Sequence, residues 1–242
     1  MTSNATDQPH VILVPGYWLG AWAWDGVVPA LKNQGFQVKA VTPSGLDEQD
    51  PDRTNTTLQD QVDALQSLVE QAGGDVVLVG HSGANAAVSI VADRAPQLLR
   101  RVIWVDSGPM QDGGAFAPEL PQDVEELPLP DFDTLGQQAS LEGLSDDQLK
   151  TFRTRAVPEP AGVARAMVSL TNDRRHGVPT TLICCSLSSS QLLELAQARH
   201  PMFVAVNDLI DVQMIDLPTG HWPMWSRPEE LANTIATAAL SS

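Results

Sequence analysis

The heptapeptide Val79-Gly80-His81-Ser82-Gly83-Ala84-Asn85 joins an apolar run at 76–79 to a second one opening at Ala86. The pattern reads as a buried strand, a sharp turn and a helix, with one serine at the apex. A serine hydroxyl is a weak nucleophile unless a base takes its proton and donors receive the oxyanion that forms. A tight turn lifts Oγ clear of the backbone, and the small residues Gly80, Gly83 and Ala84 leave room for the helix that follows. The motif is Gly-x-Ser-x-Ala, with alanine where glycine is more usual. A base is available in His221, within Leu217-Pro218-Thr219-Gly220-His221-Trp222, directly after the last strand-like run. Of the other histidines, His10 opens the first strand, His81 flanks the serine, and His176 and His200 sit in polar surroundings. A purely structural turn serine is the alternative reading.

The elements that must position these groups alternate between strand and helix. Runs at 10–14, 37–41, 76–79 and 101–105 read as strands, and those at 181–185 and 212–216 as buried strands. Helical patterns lie at 21–34, at 58–72 with Leu58, Val62, Leu65, Leu68 and Val69 on one face, and from the serine turn to Arg94. A last helix is expected near Ser226, where Ser226-Arg227-Pro228-Glu229 combines a candidate N-cap, an early proline and a glutamate. This rhythm implies an α/β fold with a mostly parallel, doubly wound sheet. It breaks between 110 and 177, a stretch rich in proline and acid with short helical pieces after Ser145 and Ala161. So long an insertion between two late strands is expected to form a small helical cap, leaving 1–109 and 178–242 as the core.

Composition limits the partners. At 242 residues the chain suits one large domain. Its net charge of −16, from 30 acidic and 14 basic residues, argues against nucleic acid and against anionic membrane. No apolar run approaches the roughly 18 residues of a membrane span. Residues 1–7 show no export signal, so a cytoplasmic location is expected. Cys184 and Cys185 are neighbours on a strand and point to opposite faces, which suits two core residues better than a disulfide or a metal site. No metal or nucleotide motif is visible, so no cofactor is implied. The expected partner is a small-molecule substrate, and a homodimer is compatible with the sequence.

With the serine turn and the late histidine in place, the chain resembles the α/β-hydrolase family over nearly its whole length. The stretch Val14-Pro15-Gly16-Tyr17-Trp18-Leu19-Gly20-Ala21-Trp22-Ala23-Trp24 is similar to the opening of its small esterase and hydroxynitrile-lyase branch, with Pro15 where histidine is usual. The resemblance implies that Ser82 is the nucleophile and His221 the base, and that the backbone N–H groups of Tyr17 and Gly83 form the oxyanion hole.

The third member of the triad is less direct. Most of the family place an aspartate after the strand that follows the cap, but Cys185-Ser186-Leu187-Ser188-Ser189-Ser190-Gln191 carries no carboxylate. Some members place the acid one strand earlier, and Asp106, ending the strand at 101–105, fills that position by resemblance. Competing readings are a turn-capping role for Asp106 beside Ser107-Gly108, an acid at Glu194 or at Asp208, Asp211 or Asp216, or no acid.

The expected reaction is hydrolysis of an ester or lactone through an acyl-enzyme. Trp18, Met110, Phe116, Trp222 and Met224 lie near sheet edges or in the cap and suggest an apolar substrate pocket, with ordinary core as the alternative. Cyanohydrin cleavage fits poorly, because Trp222 and Gly16 stand where that branch has lysine and threonine. Hydrolytic C–C cleavage uses the same serine and histidine. A ligand-binding protein with little turnover is the reading from another class, and the empty acid position is what favours it.

Overall fold

The computed structural model describes residues 8–51 and 53–241. The stretch 1–7, read above for an export signal, lies outside the described residues, as does Asp52. The strands are β1 (His10–Val14), β2 (Gln37–Ala40), β3 (Val76–His81), β4 (Leu99–Val105), β5 (Glu126–Leu127), β6 (Glu159–Pro160), β7 (Thr180–Cys184) and β8 (Val212–Asp216). Six of them form one sheet in the order β2-β1-β3-β4-β7-β8, and every pairing in it is parallel.

The period of two along each strand divides the core between the two faces of this sheet. Ile12, Val14, Val76, Leu78, Val102 and Trp104 pack toward α2 (Leu58–Ala72) and α3 (Asn85–Arg94). Val11, Leu13, Val77, Val79, Ile103 and Val105 pack on the other face with residues of α1 (Val28–Asn33) and the C-terminal helix. Burial on both sides is why these strands read as continuous apolar runs. Cys184 and Cys185 follow the same rule, lying free and buried in opposite clusters. Burial first, then nearby Asp216 and Asp106, pushes the Cys184 thiol up to about 12, so it stays protonated.

The stretch between β4 and β7 carries α4 (Phe132–Gln138), α5 (Asp146–Arg155), α6 (Ala161–Arg165) and the antiparallel pair β5–β6. Ser145 starts α5 with a reciprocal capping box to Gln148. Beyond it run α7 (Ser189–Gln197), α8 (Pro223–Ser226) and α9 (Pro228–Leu240). Two expectations are corrected. The helix expected over 21–34 is a 3-10 turn at Ala21–Trp24 followed by the short α1, which has Pro29 at its start. Ser226 does not cap α9: its hydroxyl meets Thr219 Oγ1 at 2.7 Å and donates to the Trp222 carbonyl at 3.3 Å. Among the described residues, no helix is long and apolar enough to cross a membrane.

Candidate active site

Parallel strands deliver their C-terminal ends to one edge, and at that edge the chemistry-bearing residues meet. Tyr17 and Trp18 follow β1, Ser82 follows β3, Asp106 follows β4, Ser186 follows β7, and His221 follows β8. Among the described residues, five non-glycine residues have a left-handed backbone, and three of them lie here: Trp18 (φ 67°), Ser82 (φ 49°) and Asp106 (φ 45°). Each such residue costs on the order of 1–3 kcal/mol, so strain is concentrated where side chains must be presented sharply. The Ser82 turn is also held from the next strand, where the Ser107 hydroxyl donates to the Ser82 carbonyl at 3.0 Å.

A hydrogen-bonded chain links the three. Ser82 Oγ lies 2.7 Å from His221 Nε2, and His221 Nδ1 lies 2.6 Å from Asp106 Oδ2. With Nδ1–H donating to the carboxylate, Nε2 is free to accept the serine proton. Asp106 is also held by the loop without a carboxylate. Its Oδ1 accepts the N–H groups of Cys185 at 3.0 Å and Ser186 at 2.8 Å, and its Oδ2 accepts the Ser186 hydroxyl at 2.6 Å. Burial alone would raise the carboxyl, but hydrogen bonds from His221 and Ser186 outweigh it and hold Asp106 below the usual carboxylate range. The other candidate acids are elsewhere. Asp216 accepts the N–H and hydroxyl of Ser189, and Glu194, Asp208 and Asp211 are exposed.

The turn carrying His221 is docked on the inserted stretch. His221 N–H donates to the Ser140 carbonyl at 2.7 Å, and Gly220 N–H to that of Glu142 at 3.2 Å. A side chain at 220 would run into the Glu142 backbone, so this close approach requires glycine. The Trp222 ring stands edge-on to His221, and Phe152 of α5 packs against both Trp222 and Trp225.

Tyr17 and Gly83 carry backbone N–H groups that no acceptor among the described residues takes up. The Tyr17 ring lies flat against Gly83, where a Cβ would come within 2.6 Å of it. Burial first, then nearby Glu159, raises the Tyr17 hydroxyl well above its ordinary value, so Tyr17 carries no charge into the site.

Residues 11–234 match the alpha/beta hydrolase family. The chain belongs to that family. Among its curated relatives is the carbendazim hydrolyzing esterase of Nocardioides sp. (strain SG-4G), 29% identical over 115 residues, covering 47% of this chain and 48% of that protein. Against this relative, the match spans about half of the relative's length. Methylesterase 7 of Arabidopsis thaliana is 25% identical over 254 aligned residues, covering 94% of this chain and 95% of that one. Among solved structures, an extracellular alpha/beta-hydrolase from a Paenibacillus species superposes with a TM-score of 0.77, covering 96% of this chain and 100% of that chain. Its 19% identity makes this a likeness of fold alone.

Within this hydrolase frame, the residues read as a substrate pocket separate. Trp18 and Phe116 both meet Tyr17, Phe116 edge-on at 4.7 Å and itself 58% exposed. Met110 instead lines a cavity of about 160 Å³ with Trp104, Leu170 and Leu209, apart from the Ser82–His221 chain. Trp222 and Met224 are 2% and 1% exposed and pack with the helical layer, Trp222 keeping its ring edge-on to His221.

By sequence alone His81 is only a neighbour of the serine. Its Nδ1 accepts the Gly16 N–H at 3.3 Å, and its Nε2–H donates to the His221 carbonyl at 2.8 Å. One buried ring thus ties the Tyr17 loop to the His221 loop. Burial first, then the neighbouring His221, lowers its pKa to about 3, so it is neutral and can accept at Nδ1. Substituting His81→Leu keeps much of the volume but strands a buried N–H and a buried carbonyl, each worth about 1–3 kcal/mol. Urea denaturation should therefore show a loss of about 2–6 kcal/mol; an unchanged midpoint and slope would remove this bridging role.

Proposed function

We propose that this alpha/beta hydrolase cleaves carboxylic esters or lactones of small, largely apolar substrates through an acyl-enzyme on Ser82. The observation that carries the reading is the hydrogen-bonded chain Ser82–His221–Asp106, with distances of 2.7 and 2.6 Å. His221 Nε2 takes the Ser82 proton as Oγ attacks the carbonyl carbon, and the N–H groups of Tyr17 and Gly83 receive the oxyanion. The protonated His221, stabilised by Asp106, then gives its proton to the leaving alkoxide. In the second half it removes a proton from water, which attacks the acyl carbon and frees Ser82. The stretch 110–177 acts as a cap over this edge, with Phe116 at its mouth against Tyr17.

Similarity to methylesterase 7 and to the carbendazim hydrolyzing esterase supports ester cleavage over the lyase and C–C alternatives. The binding-module reading leaned on the empty acid position, and Asp106 Oδ2 at 2.6 Å from His221 Nδ1 favours the hydrolase reading over it.

The cap exposes Asp112, Glu119, Asp123 and Glu125, which disfavours anionic substrates. A panel of neutral aryl and alkyl esters, their carboxylated counterparts and lactones tests both parts. Neutral esters should be hydrolysed with kcat/KM about tenfold higher at low salt, the gap narrowing as salt is added. Equal rates would remove the charge selection, and no turnover of any ester or lactone would overturn the reading itself.

A further inference from the structure

Glu159 has no role in the steps above, yet it is 1% exposed and sits beside the oxyanion loop. Its Oε1 accepts from Gln61 Nε2 at 3.2 Å, its Oε2 has no hydrogen-bond partner among the described residues, and the Trp18 N–H faces the carboxyl. Beside it lies a cavity of about 30 Å³, whose wall includes Gly16, Tyr17, Gly83 and Gln61. Such a space holds about one water.

The surrounding contacts converge on one residue. Trp18 has the left-handed backbone, and the inserted stretch holds it at several points. The Val157 N–H donates to the Trp18 carbonyl at 3.0 Å, and the Trp18 indole N–H donates to the Leu127 carbonyl at 2.9 Å. Glu159 completes the set on the amide side of Trp18, directly after Tyr17, whose N–H is assigned to the oxyanion hole. A strained residue persists only where its surroundings over-determine it.

From this convergence we infer that Glu159 is a positioning residue. In its neutral form it clamps the Tyr17–Trp18 loop from the cap side, so that the Tyr17 N–H points at the oxyanion. This rests on the hydrolase reading above. The carboxyl must be uncharged for the clamp to serve catalysis, because a negative charge behind the hole would oppose the oxyanion. Burial, only partly offset by Gln61 and Trp18, raises Glu159 to about 8. The sign follows: the acid is neutral below that value and ionised above it. The groups around it do not reverse this. Tyr17 is uncharged, Gln61 on α2 is neutral, and Arg53 and Glu126 beside β6 pair with each other at 2.7 Å.

The test compares wild type with Glu159→Ala and Glu159→Gln on one neutral ester. A misplaced oxyanion donor costs kcat far more than KM, so Glu159→Ala should lose roughly 10- to 100-fold in kcat with KM changed less than about threefold. Glu159→Gln, which fills the space and never ionises, should recover most of that loss. It should also abolish a fall in wild-type kcat above about pH 8. Amide NMR provides a readout independent of turnover: the Tyr17 and Trp18 N–H shifts should titrate near pH 8 in wild type and stay flat in Glu159→Gln. A folded Glu159→Ala with wild-type kcat, or amide shifts that titrate equally in Glu159→Gln, would overturn the inference. If wild type turned over no ester while the amide titration vanished in Glu159→Gln, the clamp would stand and the ester reading would fall.

Discussion

Replacing Asp106 with asparagine should lower kcat by about 10³- to 10⁴-fold while leaving KM and the fold nearly unchanged. Asparagine tolerates the left-handed backbone at this position (φ 45°), and its carbonyl oxygen can still accept the N–H groups of Cys185 and Ser186. What it cannot do is accept from His221 Nδ1–H with its NH₂ end. The ring is then driven to the tautomer with the proton on Nε2, facing Ser82, where it can no longer take the serine proton. The imidazolium that forms in the transition state also loses its counter-charge. Steady-state kinetics on a neutral ester measure this, with Glu194→Gln as the control. Glu194 is exposed on α7, so its substitution should leave kcat within about twofold, as for surface changes away from such features. Full activity in Asp106→Asn together with a large loss in Glu194→Gln would move the acid to the other position.

How legible the site was depended on how local each signal is. The Ser82 turn was readable because a strand, a small-residue turn and a helix are contiguous, and the centre of the sheet was readable because strands buried on both faces leave unbroken apolar runs. The edge strands β2 and β8, by contrast, are half-buried or exposed. His221 was readable from its place after the last strand. Asp106 was legible only through family precedent, since carboxylates after either of two neighbouring strands reach the same imidazole. The sequence alone did not reveal that Ser186, in the loop lacking an acid, would donate its N–H and hydroxyl to Asp106.

The misses share a physical cause. His81 bonds to residues 65 and 140 positions away, and Glu159 meets Gln61 at a separation of 98, so no local pattern encodes either contact. Trp222 and Met224 carry the apolar character of a pocket wall, but apolar character does not say how deeply the turn after His221 buries them. Ser226 had the composition of an N-cap, yet its hydroxyl found Thr219 and the Trp222 carbonyl in the folded chain.

Substituting Ser82→Ala should have the largest effect of all, a loss of about 10⁶-fold in kcat, down to what the oxyanion donors and binding alone supply. The change removes one half-buried hydroxyl and its bond to His221, so the fold should persist. Because Ser82 and His221 act as one unit, adding His221→Ala should cost little more than the first substitution. Stopped-flow release of nitrophenol from an activated neutral ester is the most direct measurement. Wild type should release nitrophenol in a burst or at a steady rate, and Ser82→Ala should show no burst and a rate lower by about 10⁶-fold. Release by a folded Ser82→Ala at the wild-type rate would contradict the acyl-enzyme account.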